Sequence, residues 1–320
     1  MRRLLSIAFL LVLLCALPVF VTAQPIKADA ATLDYHLSAR AVAPGVFVVE
    51  GANADFSVAN GCNIINTGFI VTGNGVVVVN TGPSRRYGEQ LRALIGRTTS
   101  EPVVRVIHLN LHPDYFLGNQ AFADVPRAAT PVTRAGMQRE AKAYEDNLYR
   151  LCGEWMKGTE ALLPETDAKT GVERIGSHEV ELVELRGHTD SDLLLFDRSS
   201  GVAFVGGLAF SRRIPTTPHA QIDTWQASLN ELAGLRVRMI VTSHGVVSSD
   251  TTAIALTQRY LAWIDTAFRA AAERGDDMND VLRLPVPNEF RQWAAFETEY
   301  TRNVANLYPR YEQAVLKPHP

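Results

Sequence analysis

The stretch His108–Phe122, HLNLHPDYFLGNQAF, decides how the rest of the chain reads. His108, Asn110 and His112 alternate with leucines, and alternate residues of an extended strand face the same way. Pro113-Asp114-Tyr115-Phe116 then ends the alternation, and the chain turns at Gly118-Asn119. The apolar run Val103–Ile107 just before it predicts a buried strand. A strand that runs out into histidine, aspartate and glycine ends where ligand sites gather in α/β sheets.

Working outward, the same layout recurs three times. Val180–Leu185 closes on Arg186-Gly187-His188, Val202–Val205 on Gly206-Gly207, and Met239–Val241 on Thr242-Ser243-His244-Gly245. Three of these four strand ends carry a histidine, and neutral imidazole with carboxylate is the ligand chemistry that a zinc ion prefers. Ahead of them, Val46–Val49, Phe69–Val71 and Val76–Val79 predict a β-meander, with Gly73-Asn74-Gly75 as the turn joining the last two. Leu193–Phe196 pairs across Asp197–Gly201 with Val202–Val205. Helices are expected over Arg85–Ile95, about Thr133–Trp155, about Ile222–Ala233 and from Thr251 onward. Strands then a helix, twice over, predict two sheets stacked face to face with helices outside: an α/β protein of the αββα sandwich type.

The first residues, through Val21-Thr22-Ala23, give two arginines, an apolar run and a small-residue cleavage site, the pattern of a secretory signal peptide cut after Ala23. The expected division is therefore a signal peptide over 1–23, the αββα domain over 33–270 and a helical extension over 271–320, broken near Pro285-Val286-Pro287. The mature chain is then periplasmic or secreted and keeps no stable membrane span. Cleavage removes Arg2 and Arg3 and no acid, so the net charge moves from −3 to −5, and nothing in it asks for a nucleic acid. Of three cysteines Cys15 leaves with the leader; Cys62 and Cys152 remain, and the spacing leaves open whether they pair. The oligomeric state is not legible; the tail, with Trp293, Phe296, Tyr300 and Tyr308, can pack on the domain or support a dimer.

On these residues the chain resembles the metallo-β-lactamase fold superfamily, whose metal loop reads His-x-His-x-Asp-His followed by Gly-Gly-Asn, where this chain has Asn110-Leu111-His112-Pro113-Asp114-Tyr115-Phe116-Leu117-Gly118-Asn119. The likeness runs from about Tyr35 to Trp263. Asn66–Val71 (NTGFIV) and Pro215–His219 (PTTPH) are most similar to exported members called quinoprotein relay system zinc metallohydrolases. The resemblance implies a first metal site at Asn110, His112 and His188, and a second at Asp114, Tyr115, Gly207 and His244. Asn110 and Tyr115 stand where histidines are usual, Gly207 where an aspartate commonly bridges two metals, and Asn80 where the turn beneath the site usually has aspartate.

Without a bridging carboxylate two dications repel with less negative charge between them, so one zinc is expected rather than two, and the losses leave room for none. The expected ligands are His112, Asp114, His188 and His244, with the weak amide oxygen of Asn110; the expected catalytic groups are Asp114, orienting or deprotonating a water, and Tyr115, as a metal-depressed phenolate or an oxyanion donor. The implied activity is cleavage of an ester, thioester or amide-type bond in a small molecule by metal-activated water. The alternative is an inactive relative that binds a small molecule or a periplasmic redox partner in the same cleft. His108, one strand step behind the site on the same face as Asn110, is expected in the core bonded to backbone, with a compensating metal role as the alternative; His219 is expected as a solvated residue of a loop that could reach the site mouth, and His36, His178 and His319 at the surface. The helix near Thr133–Trp155, with Tyr144, Leu148, Tyr149 and Trp155 at helical spacings, is expected to pack beside the site's mouth.

Overall fold

The computed structural model describes residues 32–316. The expected leader, its cleavage site and His319 lie outside the described residues.

The chain opens with four strands, β1 (Arg40–Ala43), β2 (Val46–Val49), β3 (Thr67–Val71) and β4 (Val76–Val79), followed by helix α1 (Arg85–Thr98) and strand β5 (Val103–Ile107). A short helix α2 (Pro113–Phe116), strand β6 (Arg127–Ala129), the long helix α3 (Pro131–Cys152) and strand β7 (Thr166–Asp167) complete a seven-stranded sheet in the order β1-β2-β3-β4-β5-β6-β7. Its first four strands pair antiparallel and its last four parallel, so the sheet is mixed.

The second sheet is built from β8 (Gly171–Ile175), β9 (His178–Leu185), β10 (Asp192–Asp197), β11 (Val202–Phe204) and, after β12 (Phe210–Ser211) and helix α4 (Ile222–Gly234), β13 (Met239–Val241); its order is β13-β11-β10-β9-β8. Strand β14 (His244–Gly245) pairs in parallel with β12, setting His244 opposite Phe210. Helices α5 (Thr252–Arg274), α6 (Met278–Leu282), α7 (Asn288–Arg291) and α8 (Phe296–Leu316) close the chain.

The two sheets stack through alternate residues. Val77 and Val79 of β4 and Ile70 of β3 share one core with Leu193 and Leu195 of β10 and Val202 and Phe204 of β11. Val76 and Val78 face the other way, onto Tyr87, Leu91 and Ile95 of α1. A strand with both faces covered must be apolar at every position, which is why β4 is four valines in a row. The outer face of the second sheet is covered by α4 and α5, and Phe290, Phe296, Tyr300 and Leu307 of the tail helices belong to the same core. The tail thus packs on its own domain. Helix α3 has a smaller core of its own, where Leu148 and Met137 meet Phe116 and Leu111. Its last residue, Cys152, is disulfide-bonded to Cys62, which answers the pairing question. No helix among the described residues is long and apolar enough to cross a membrane.

Two expectations about single residues need correction. His178 is buried rather than at the surface, with Nδ1 2.8 Å from Asp197 Oδ2. The cause is the alternation of β9, which turns His178, Val180 and Leu182 to the same covered face. His219 is half-buried at the site rather than on a solvated loop, for reasons given below.

Candidate active site

The opening stretch is held in place by the turn after β4. Asn80 adopts a left-handed backbone (φ 59), a conformation that asparagine tolerates, and its Oδ1 accepts from Leu109 N at 3.0 Å. Gly82 follows at φ 90, and a β-carbon there would stand 1.9 Å from Tyr87 Cδ1, so only glycine fits. Thr81 N donates to Tyr115 O at 2.9 Å and Thr81 Oγ1 to Asn119 Oδ1 at 2.8 Å. His112 sits at the start of α2 with Pro113 as its first residue, which places Asp114 in the first turn, where helix amides favour negative charge.

The structure brings the expected residues together. The rings of His112 and His188 lie 4.7 Å apart, centre to centre. His244 Nε2 donates to Asp114 Oδ2 at 2.8 Å, and its Nδ1 is buried without a partner among the described residues. His112, Asp114, His219 and His244 line a cleft of about 400 Å³, together with Tyr144 and Arg150 of α3 and Glu299 and Arg302 of α8. Burial, with the neighbouring imidazoles His188, His219 and His244, holds His112 well below the ordinary histidine range, so its ring is neutral at pH 7. Burial also lowers His244, against the pull of Asp114.

Other expected roles meet a different geometry. Asn110 Oδ1 accepts from His112 N at 3.0 Å, and its amide nitrogen faces His188 Nδ1 at 3.3 Å. The oxygen expected to reach a metal is therefore committed to the backbone two residues on, and the group turned toward His188 is a donor. Tyr115 is fully buried; burial, then the charge of Asp114, holds its phenol protonated far above the usual range, which opposes the phenolate expected of a ligand. At Gly207 a β-carbon would stand 2.1 Å from His188 Nδ1, so the space in which a bridging carboxylate would hang is filled by an imidazole. His108 is a core residue, with Nδ1 3.0 Å from Tyr115 O.

His219, expected on a loop within reach of the site mouth but read as solvated, is a half-buried member of the site. Its Nδ1 lies 3.3 Å from His112 Nε2, so the two rings share a hydrogen bond. Thr216, three residues earlier, brings Oγ1 to 3.4 Å from His188 Nε2. His188 is further caged by Trp225 and Phe210, whose ring centres lie 5.0 and 5.6 Å away.

Among the described residues no group of three or more His, Cys, Asp or Glu side chains is disposed to hold an ion. The side chains bond to one another rather than facing a common point, His112 to His219 and His244 to Asp114. Such a set does not fit two ions. It offers one ion the imidazoles of His112 and His188, whose ring centres lie 4.7 Å apart, and no third protein ligand, which is a weak site, because a stable zinc centre takes three or four.

A family model described as the Metallo-beta-lactamase superfamily matches residues 60–244, more than half of the chain. Among solved structures the fold is similar to a metallo-beta-lactamase from Pontibacter korlensis, at 20% identity and a TM-score of 0.56 over 71% of this chain and 99% of that one. It is similar also to metallo-beta-lactamase IND-7 (19%, 0.57, over 71% and 98%) and to the DIM-1 metallo-beta-lactamase (18%, 0.56, over 71% and 97%). No curated protein matches the chain.

Proposed function

From the premise that the chain belongs to the metallo-beta-lactamase superfamily, we propose that it is an exported hydrolase that cleaves an ester, thioester or amide-type bond in a small molecule and holds at most one zinc ion. The observation that carries this reading is the Asp114–His244 pair, bonded at 2.8 Å on the wall of the cleft. The imidazole N–H fixes the direction of the Asp114 carboxylate on the cleft wall, so Asp114 orients the attacking water and takes its proton. His112 and His188 are the side chains that would hold the single ion, which supplies polarisation of that water and of the scissile carbonyl when bound. The Cys62–Cys152 disulfide supports export, since such bonds persist in oxidising compartments. The NTGFIV and PTTPH stretches support kinship with the quinoprotein relay metallohydrolases.

The test is turnover of an activated ester, a thioester and a lactam by the mature protein with zinc added. Asp114→Asn should lower kcat/KM by roughly 100-fold or more, the usual worth of a positioned base, with an unchanged melting temperature. Binding of more than one zinc per chain, or equal turnover by the variant, overturns the reading.

One observation favours a second reading. The ring of His188 fills the space beside Gly207 and is held there by Asn110, Thr216 and Trp225. A cradle closed in this way suits a binding or accessory protein, with a small molecule or a periplasmic redox partner at the cleft. Absence of turnover on every substrate, with retained small-molecule binding, decides for it.

A further inference from the structure

Helix α8 lies beyond residue 244, where the family match ends, yet it reaches the site through the loop that carries Thr216 and His219. Residues 214–221 have no regular secondary structure; backbone bonds from Ile214 N to Ala294 O at 3.1 Å and from Gln221 N to Gly187 O at 2.7 Å anchor the two ends, and side-chain bonds hold the stretch between them. Thr217 Oγ1 donates to Asn303 Oδ1 at 2.7 Å, and Asn303 Nδ2 donates to Pro215 O and to Tyr260 Oη, each at 2.9 Å. Thr217, Asn303 and Tyr260 are all fully buried. Every hydrogen-bonding capacity of the Asn303 amide nitrogen is therefore used, two bonds of the cluster fall on the loop, and water does not compete. Arg213 to Glu299 at 3.1 Å and Arg310 to Ala220 O at 2.5 Å tie the two ends of the same loop to α8. The loop's other side sets Thr216 against His188 and His219 against His112.

We propose that Asn303 is a positioning residue of the site: by clamping Pro215 and Thr217 it fixes where Thr216 and His219 meet His188 and His112. The inference rests on the reading of this cleft as the functional site. It makes the C-terminal helix part of that site's machinery rather than an appendage.

The experiment compares Thr217→Val, Asn303→Ala, Thr217→Ser and Tyr308→Phe in the mature chain. Tyr308 lies on the same helix and bonds Asp276 O instead of the loop, so its variant reports what a weakened α8 does by itself. Three readouts are taken: hydrogen exchange of the amides of 214–220, imidazole nitrogen shifts of His112 and His219, and kcat/KM on the ester substrate. Thr217→Val and Asn303→Ala should speed loop exchange by roughly tenfold or more. They should also abolish the shift signature of the His112–His219 bond and lower kcat/KM by roughly 10- to 100-fold, as a misplacement of about 1 Å does. Thr217→Ser, which keeps the hydroxyl, and Tyr308→Phe should match wild type in all three. If Thr217→Val and Asn303→Ala behave as Tyr308→Phe does, the proposal is overturned. Exchange and nitrogen shifts need no turnover, so a failed hydrolase reading leaves them able to decide the matter.

Discussion

Consider Gly207→Ala, the smallest change that moves the chain toward its family's pattern. The added β-carbon would sit 2.1 Å from His188 Nδ1 and 2.2 Å from its Cε1, where ordinary contact begins near 3.4 Å. The ring must retreat by about 1.3 Å, and it has little room, since it is fully buried with the rings of Trp225 at 5.0 Å, Phe210 at 5.6 Å and His112 at 4.7 Å around it. Its polar contacts, to Asn110, Asp192 and Thr216, run from 3.3 to 3.4 Å, so stretching them costs little. Steric strain dominates, and overpacking of a closed core by one carbon costs about 2 to 3 kcal/mol. For a chain of this size that loss lowers the melting temperature by roughly 3 to 5 °C. Urea unfolding of Gly207→Ala, His188→Ala and the double variant measures the clash directly. With the ring removed the added carbon should be nearly harmless, giving a coupling of at least about 1.5 kcal/mol. A loss under about 0.5 kcal/mol for Gly207→Ala alone would refute the reasoning, because His188 would then be free to swing away and the space for a bridging carboxylate would be open.

Three further outcomes follow from the same geometry. Replacing both Cys62 and Cys152 by serine opens a closed loop spanning a sequence separation of 90, which on chain entropy costs about 4.6 kcal/mol and in practice about 2 to 4, read as a lower urea midpoint; two thiols titrating in the unreduced wild type would contradict the bond itself. Burial pushes His108 down to about 3, below its unfolded value of about 6.5, so the unfolded chain binds the extra proton between those values. Its contribution to stability is complete above pH 6.5 and is lost as pH falls, about 2 kcal/mol by pH 5, so unfolding free energy should drop more steeply between pH 7 and 5 in wild type than in His108→Gln; equal slopes would sink the assignment. Arg213→Met removes the buried cation that meets Glu299, which is 1% exposed, and leaves it the exposed Arg302 at 2.9 Å; the loss should be about 2 kcal/mol, below that of a wholly unpaired buried charge, with part recovered when Glu299→Met is added, and a loss under about 0.5 kcal/mol would show that the pair does not hold the loop.

Apolar runs, β-branched in most and leucine-rich in β10, announced β2, β3, β4, β5, β9, β10, β11 and β13, because strands covered on one or both faces must be apolar in period. Other strands gave no such sign. β8 reads Gly-Val-Glu-Arg-Ile with its first four residues exposed, and β12 and β14 are two residues each, set by the packing around them. His112, Asp114, His188 and His244 were legible for the reason the strands were: each follows an apolar run, and the carboxyl ends of strands in a closed sandwich converge. Two local signals were present and went unused. Asparagine commonly bonds the backbone amide two residues on, and Asn110-Leu111-His112 does so, which turns its oxygen away from any metal. His178 opens the alternation of β9 and so belongs inside.

Pro215–His219 marked a loop within reach of the site, but not that His219 would be half-buried against His112, and the reason lies in how its position is fixed. Nothing in Pro215–His219 sets a side-chain direction; the loop is placed by Asn303, 86 residues beyond Thr217, and by Glu299 acting on Arg213 over the same separation. A contact at that range is made by a helix whose own pattern shows only that it has a buried side. The family-matched region supplies His112, Asp114, His188 and His244 from strand ends, whereas Thr216 and His219 reach the same cleft on a loop that α8 clamps. With no group of three ligand side chains around a common point among the described residues, the order of these imidazoles depends on the protein contacts that hold them. Here that constraint comes from the C-terminal helix, so truncation before Phe296 should disorder the His112–His219 pair even where both sheets persist.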